Sequence, residues 1–203
     1  MLSAEIKSKI DRLWNNFWSG GISNPLTVIE QISYLLFIKR LDDIDNAKVK
    51  RANRMEVPYT SLFKDLNDKL IADNKSTYDF NYELLKWSEF QHLDVNEMFD
   101  VVSQKVFPAI KMLGGAESSF TAEMKDAVFM IPKPSLLQES VRLIEGINMD
   151  DADTKGDLYE YLLSKLATSG VNGQFRTPRH IIRMMVELMD PTSEDKICDP
   201  ACG

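Results

Sequence analysis

Tyr34-Leu35-Leu36-Phe37-Ile38-Lys39-Arg40-Leu41-Asp42-Asp43 decides the fold. Its first five residues are apolar nearly all round, so a helix through them is central and buried on most sides. Upstream, Asn24-Pro25 supplies an N-cap residue followed by proline at the first helical position. Val28, Ile29, Ile32, Leu35, Leu36, Ile38 and Leu41 then recur at helical spacing toward Ile44. The pattern predicts a buried helix over 25–44. At its end, basic and acidic residues stand one turn apart, the pattern of a solvated, salt-bridged face. The apolar run is far too short for a membrane span, which needs about 20 residues.

Working outward, the neighbouring segments also read as helices. Ile6, Ile10, Leu13, Trp14, Phe17 and Trp18 form an aromatic-rich stripe, with Ser3 placed to cap it and Gly20-Gly21 to end it. Lys48, Lys50, Arg51 and Arg54 form a basic cluster that reads as a solvated loop, with phosphate contact as the alternative. Residues 56–93 are mixed and aromatic and predict short helices and ordered loops; His92 among them has no ligand-like neighbours and reads as structural. Asp94 with Glu97 fits a capping box ahead of Met98, Val101, Val102, Val106 and Ile110, and Pro108 must kink or restart that helix. Pro132 and Pro134 precede an amphipathic run of Leu136, Leu137, Val141, Leu143 and Ile144. Asp150, Asp151 and Asp153 lack the glycine and closing glutamate of a calcium loop, and read as a linker into a helix carrying Leu158, Tyr159, Tyr161, Leu162, Leu163 and Leu166.

Composition bounds the function. The chain has 203 residues, 24 Lys+Arg against 31 Asp+Glu and a formal net charge of -7. With 44% hydrophobic and 27% charged residues it falls in the ordinary globular class. An acidic chain does not grip nucleic acid by bulk charge, so any such contact must be local or come from other chains. Two cysteines exclude a disulfide framework and point to a reducing cytoplasm. Met1-Leu2-Ser3-Ala4-Glu5 lacks the regions of a signal peptide. Cys198 and Cys202 have neither the further ligands zinc needs nor a nearby base, so no metal site is expected.

The last thirty residues carry the chemistry. Gly173-Gln174-Phe175-Arg176-Thr177-Pro178 leads into Ile181, Ile182, Met184, Met185 and Leu188. Thr177 stands at an N-cap position with Pro178 at the first helical position, so free N–H groups, a hydroxyl and the positive dipole end make a place for a carboxylate or phosphate. Many helices begin Thr-Pro and bind nothing, so the motif alone does not decide. Lys196-Ile197-Cys198 reads as the opening of a buried strand, followed by Asp199-Pro200-Ala201-Cys202-Gly203. An acidic residue at a strand's carboxyl end, running into small residues, is how open α/β sheets bring backbone close to a nucleotide-like ligand. A bare Asp-Pro turn is the plainer alternative.

Taken together, these segments resemble the modification (methylase) subunits of type I restriction–modification systems, across essentially the whole chain. Leu35-Leu36-Phe37-Ile38-Lys39-Arg40-Leu41-Asp42-Asp43 is similar to the signature of that family's N-terminal helical domain. Gly156-Asp157-Leu158-Tyr159-Glu160-Tyr161-Leu162-Leu163 is similar to the opening of its methyltransferase domain. Gly173–Pro178 and Asp199–Gly203 are similar to its first two cofactor segments, with Arg176 standing where the family usually has an aromatic residue.

The resemblance implies a mainly α fold: a helical bundle over 1–150 that assembles with partner subunits and clamps DNA, then over 151–203 the truncated beginning of an α/β, Rossmann-like, S-adenosylmethionine-dependent methyltransferase domain. It implies a parent enzyme that methylates adenine N6 in DNA. Gln174, Phe175, Thr177 and Pro178 would form the first cofactor segment, with Thr177 and its helix taking the methionine carboxylate. Asp199 would lie near the amino group, and Ala201 and Gly203 on the adenosine side. Implied partners are a specificity subunit, a restriction subunit, a second methylase subunit and double-stranded DNA in the assembled complex, with no membrane. The family's catalytic Asn/Asp-Pro-Pro-Tyr/Phe motif is absent, since no Pro-Pro pair occurs in the 203 residues. The chain by itself is therefore expected to be inactive, with no catalytic residue, and to serve subunit assembly. The alternative is a stand-alone helical interaction protein without catalysis.

Overall fold

The structure, a computed structural model, describes residues 2–74, 80–113, 124, 126–147, 152–168, 177 and 179–198. Among the described residues the regular structure is entirely helical. Two compact units divide the chain, Met1–Val171 and Asn172–Gly203.

In the first unit, local chemistry sets the helix starts. Helix α1 (Ala4–Ser19) is capped by Ser3, whose hydroxyl accepts from the Ile6 N–H. It ends at Gly20, where a Cβ would sit 2.7 Å from the Leu136 side chain, and at Gly21, whose φ of +108° suits only glycine. Helix α2 (Pro25–Met55) starts at Asn24, whose side chain accepts from the Leu26 N–H, with Pro25 in the first turn. It closes on Glu56 in the left-handed region, φ 53°. Helix α3 (Leu62–Asn74) follows, then a 3₁₀ turn at Tyr82–Leu85 and the short α4 (Trp87–Phe90).

Asp94 caps α5 (Val95–Val101) by accepting from the Asn96 and Glu97 N–H groups. A π-helical segment, Val102–Val106, joins α5 to α6 (Phe107–Lys111). Pro108 explains it: the ring has no N–H and crowds the carbonyl one turn back, so the ladder widens and the Phe107 N–H reaches Val102 O instead. Helix α7 (Pro134–Glu145) carries the second amphipathic run, and α8 (Ala152–Thr168) completes the unit.

The core gathers Ile10, Leu13 and Phe17 of α1, Ile32, Leu35, Leu36 and Ile38 of α2, Phe63 and Leu66 of α3, Trp87 and Phe90 of α4, and Leu158 and Leu162 of α8. Helix α7 packs on both α1 and α5, and α8 on α2. Tyr34 meets Phe107 edge-on with centroids 5.3 Å apart, and Phe107 packs tilted against Phe129 at 5.7 Å. The Gln31 side chain fixes an extended stretch, donating to Val128 O at 3.0 Å and accepting from the Met130 N–H at 2.9 Å.

Several expectations need correction. Helix α2 runs eleven residues past Ile44, and Lys48, Lys50, Arg51 and Arg54 lie on it rather than in a loop. Alanine, lysine and arginine are strong helix formers, and they extend a helix already nucleated by its core. Lys39 and Asp42 are buried, not solvated, because α4 and α7 cover that turn. Trp18 turns outward from the α1 stripe, and His92 sits exposed in a turn. The helix predicted after Gly156-Asp157 begins at Ala152 and contains both residues.

The second unit contains one helix among its described residues, α9 (Arg179–Met189). Asp190 follows with φ 44°, and Thr192–Asp195 forms a turn in which the Asp195 carboxylate accepts from the Thr192 N–H at 2.7 Å. Those bonds hold the Asp195 carboxyl below its ordinary range. Lys196-Ile197-Cys198, expected as a strand, is irregular and exposed. A strand needs a neighbour to satisfy its N–H and C=O groups, and no described residue supplies one.

Candidate functional site

Of the seven expected cofactor residues, only Thr177 is described: it lies exposed in non-helical backbone just ahead of α9. Gln174, Phe175, Pro178, Asp199, Ala201 and Gly203 lie outside the described residues. Among the described residues no acidic side chain stands in the first turn of α9, and a helix N-terminus favours an anion. The other side of α9 is apolar and uncovered, with Ile182, Met185, Val186 and Met189 exposed. Among the described residues, no group of three or more His, Cys, Asp or Glu side chains is placed to hold a metal ion.

The signature segment of α2 builds a different arrangement. The Lys39 ammonium lies 3.2 Å from Glu145 of α7 and 3.9 Å from Asp43. The same Glu145 oxygen accepts from the Trp87 indole N–H at 2.6 Å. Asp42, 3% exposed, accepts from the Ser88 N–H at 2.8 Å and from the Asn46 amide at 3.0 Å. Burial raises the Asp42 carboxyl above its ordinary value, against the lowering effect of the Ser88 bonds and Lys86. Asp42 and Lys39 thus tie α2 to α4 and α7. Their donors and acceptors are taken by neighbours, so the cluster holds helices together and is not set up as a base or nucleophile.

The comparisons with known proteins divide the chain earlier than its two compact units do. The family model for the HsdM N-terminal domain matches residues 6–144, and that for the N-6 DNA Methylase family matches 150–203. The chain belongs to the HsdM N-terminal domain family. Across its whole length it is 24% identical to the type I restriction enzyme EcoEI methylase subunit of Escherichia coli, and covers 39% of that protein. It is 23% identical to the EcoKI methylase subunit of Escherichia coli K12, again over its full length, covering 34%. The MjaVIII methylase subunit of Methanocaldococcus jannaschii is 25% identical over 74% of the chain. The chain thus spans between a third and two-fifths of the relatives that it matches end to end. A solved chain from work on complex assembly and conformational transition of the type I R-M system shares the fold, with a TM-score of 0.58, 20% identity and 97% of this chain covered.

Sequence reasoning missed several residues of this HsdM N-terminal domain. Asp45, on α2 and almost fully buried, accepts from Tyr59 Oη at 2.8 Å, Ser61 Oγ at 2.7 Å and the Leu62 N–H at 2.8 Å. It caps α3 from another helix and folds the 56–61 loop back onto α2. Burial, then the Asp45 hydrogen bond and charge, push the Tyr59 hydroxyl up to about 12. Glu145 and Trp87 went unnoticed as polar partners because they lie 58 positions apart, Trp87 in the mixed 56–93 segment and Glu145 at the end of an amphipathic helix. The signal the sequence offered was a third aspartate two residues past the signature's Asp43.

Proposed function

We propose that this chain is the front portion of a type I methylase subunit whose complete form transfers a methyl group from S-adenosylmethionine to adenine N6 in DNA. The observation carrying this reading is the succession of two family matches, residues 6–144 and then 150–203, in one chain. The helical unit acts as the assembly module, toward a specificity subunit, a restriction subunit and a second methylase subunit, with double-stranded DNA held in the assembled complex. The reading places the protein in the cytoplasm. Among the described residues no helix is long and apolar enough to cross a membrane.

Residues 151–203 open the Rossmann-like catalytic domain on this reading. The uncovered apolar side of α9 supports it, because a helix flanking a parallel sheet buries that side against strands. When bound, S-adenosylmethionine supplies a methyl group on a positively charged sulfur. Gln174, Phe175, Thr177 and Pro178 hold its amino-acid end, the Thr177 hydroxyl and the α9 N-terminus taking the carboxylate. Asp199 receives the ammonium, and Ala201 and Gly203 leave room for the adenosine. The adenine must leave the DNA stack to be reached, and the Asn/Asp-Pro-Pro-Tyr/Phe motif that orients its amino group is absent here.

The test extends the chain to the length of its relatives, adds the specificity subunit and site-bearing DNA, and follows tritiated methyl into adenine N6. Transfer is expected from the extended protein and none from the 203-residue chain. In the extended protein, Asp199→Ala lowers cofactor affinity about 10- to 100-fold, the loss of a charge-assisted hydrogen bond. Unchanged affinity, or label found on cytosine, overturns the proposal.

A further inference from the structure

Helix α8 is methylase by sequence and helical unit by packing. It falls within the N-6 DNA Methylase match, which begins at residue 150, yet it lies inside the first compact unit, which runs to Val171. Its row of Leu158, Leu162 and Leu166 is buried, and the helix packs on α2. Four residues after its last residue, Thr168, the expected cofactor segment opens at Gly173.

A row of leucines seats a helix without fixing it. The row decides which side is buried and tolerates a roll about the axis. In α8 a second row limits that roll. Tyr161 and Lys165 stand one turn apart, about 60° round the axis from the leucines at 3.6 residues per turn. Both reach the same carboxylate oxygen of Asp11 on α1: the Tyr161 hydroxyl donates to it at 2.8 Å, and the Lys165 ammonium lies 2.5 Å away. The Lys165 ammonium also stands 4.8 Å from the Tyr161 ring centroid, and Lys7 of α1 stands 5.8 Å from it. On α2, the Ser33 hydroxyl bonds to Tyr159. Lys165 lies in the last turn of α8, so the clasp grips the end from which the chain runs on toward Gly173.

Stability does not account for the clasp. The Lys165 and Asp11 side chains are 24% and 43% exposed, and an ion pair this open adds little to folding, which the buried leucines already favour. What one carboxylate gains by holding two donors a turn apart is a set roll and height of the helix.

We infer that Asp11 is a positioning residue for the methyl-donor site: through Tyr161 and Lys165 it sets the roll of α8, and α8 sets the point and direction from which the cofactor segment leaves the helical unit. Binding groups must meet a ligand within a fraction of an ångström, so a segment launched from a rolled helix holds the donor less well. This rests on the reading of the chain as the front of an S-adenosylmethionine-dependent methylase. It gives α1, more than 150 positions before the cofactor segment, a part in donor binding.

The experiment uses the extended protein with the specificity subunit and site-bearing duplex. Initial rates of methyl transfer are measured against S-adenosylmethionine concentration, alongside isothermal titration of the same donor. Asp11→Ala raises the donor KM and Kd about 3- to 30-fold, the span of couplings carried through packed elements, and changes kcat by less than about 2-fold. Tyr161→Phe/Lys165→Met raises them similarly, and combining it with Asp11→Ala brings no further loss, since both break one clasp. A merely structural role gives a smaller active fraction, seen as a lowered kcat at unchanged KM; that result overturns the inference. So do unchanged donor affinity in Asp11→Ala and additive losses in the combined variant. Circular dichroism checks folding, and should Asp11→Ala misfold, Tyr161→Phe/Lys165→Met carries the same comparison. A wild-type protein that binds the donor but methylates no adenine breaks the reading of the reaction, while the titration still decides the role of Asp11.

Discussion

Helices α2 and α9 are both rich in leucine, isoleucine, methionine or valine, yet they meet opposite fates. In α2, Leu35 and Leu36 are each 1% exposed, enclosed by the helices of the first unit. In α9, Leu188 is 77% exposed and Met189 79%. The helices do not differ in apolar content so much as in what surrounds them. An apolar helical face is a demand for a partner surface, and among the described residues the first unit supplies it.

The largest expected effect tests that contrast from the buried side. Leu36→Ala removes a side chain from the centre of the core and should destabilise the first unit by about 2–5 kcal/mol, read as a lowered urea midpoint. A loss below about 1 kcal/mol would mean that the core closes around α2 less tightly than its burial implies.

Next comes the polar counterpart. Asp45→Ala orphans the Tyr59 and Ser61 hydroxyls and the Leu62 N–H, and should cost about 2–3 kcal/mol. The same variant brings the Tyr59 hydroxyl down from about 12 toward the ordinary tyrosine value, followed by ultraviolet absorbance between pH 9 and 13. Because the folded value is raised, Tyr59 contributes stability below pH 10 that is lost as pH climbs through about 12.

A smaller effect separates two aspartates by sign. Burial raises the Asp11 carboxyl, but hydrogen bonds from Lys165 and Tyr161 and the Lys165 charge outweigh it and leave it lowered. Its contribution to stability, present above pH 3.8, is lost as pH falls through the folded value. Asp42, raised chiefly by burial, behaves oppositely: its contribution is present below pH 3.8 and lost as pH rises through its folded value. Carboxyl NMR titration should place Asp42 above and Asp11 below the ordinary aspartate value. The reverse order would break the account of the signature turn.

The smallest effect is also the sharpest for the contrast. Leu188→Ala should leave the urea midpoint of this chain within about 0.5 kcal/mol of wild type, since an exposed side chain loses no packing. In the extended protein the same change should cost about 2 kcal/mol or more if, as proposed, a sheet covers α9 there. Equal effects in the two proteins would show that α9 never becomes core.

The sequence by itself determined where three helices begin and where one is distorted, though not where α2 ends or α8 starts. Ser3, Asn24 and Asp94 each cap through a hydrogen bond to an N–H two or three residues on, and Pro108 forces its π-helical adjustment within one turn. Such interactions are complete within a few residues, so residue order fixes them. The resemblance to methylase subunits was equally legible, because it lies in short ordered motifs. Thr177 lies in non-helical backbone ahead of α9, while Asp199 and its neighbours lie outside the described residues. Only tertiary structure decided that Lys39 would pair with Glu145, 106 positions away, that Asp42 would be buried against Ser88, and that Gln31 would bridge Val128 and Met130. Lysine and aspartate one turn apart look the same on a solvated face and under another helix. Which of these holds depends on distant segments arriving over them, and no local pattern encodes that arrival.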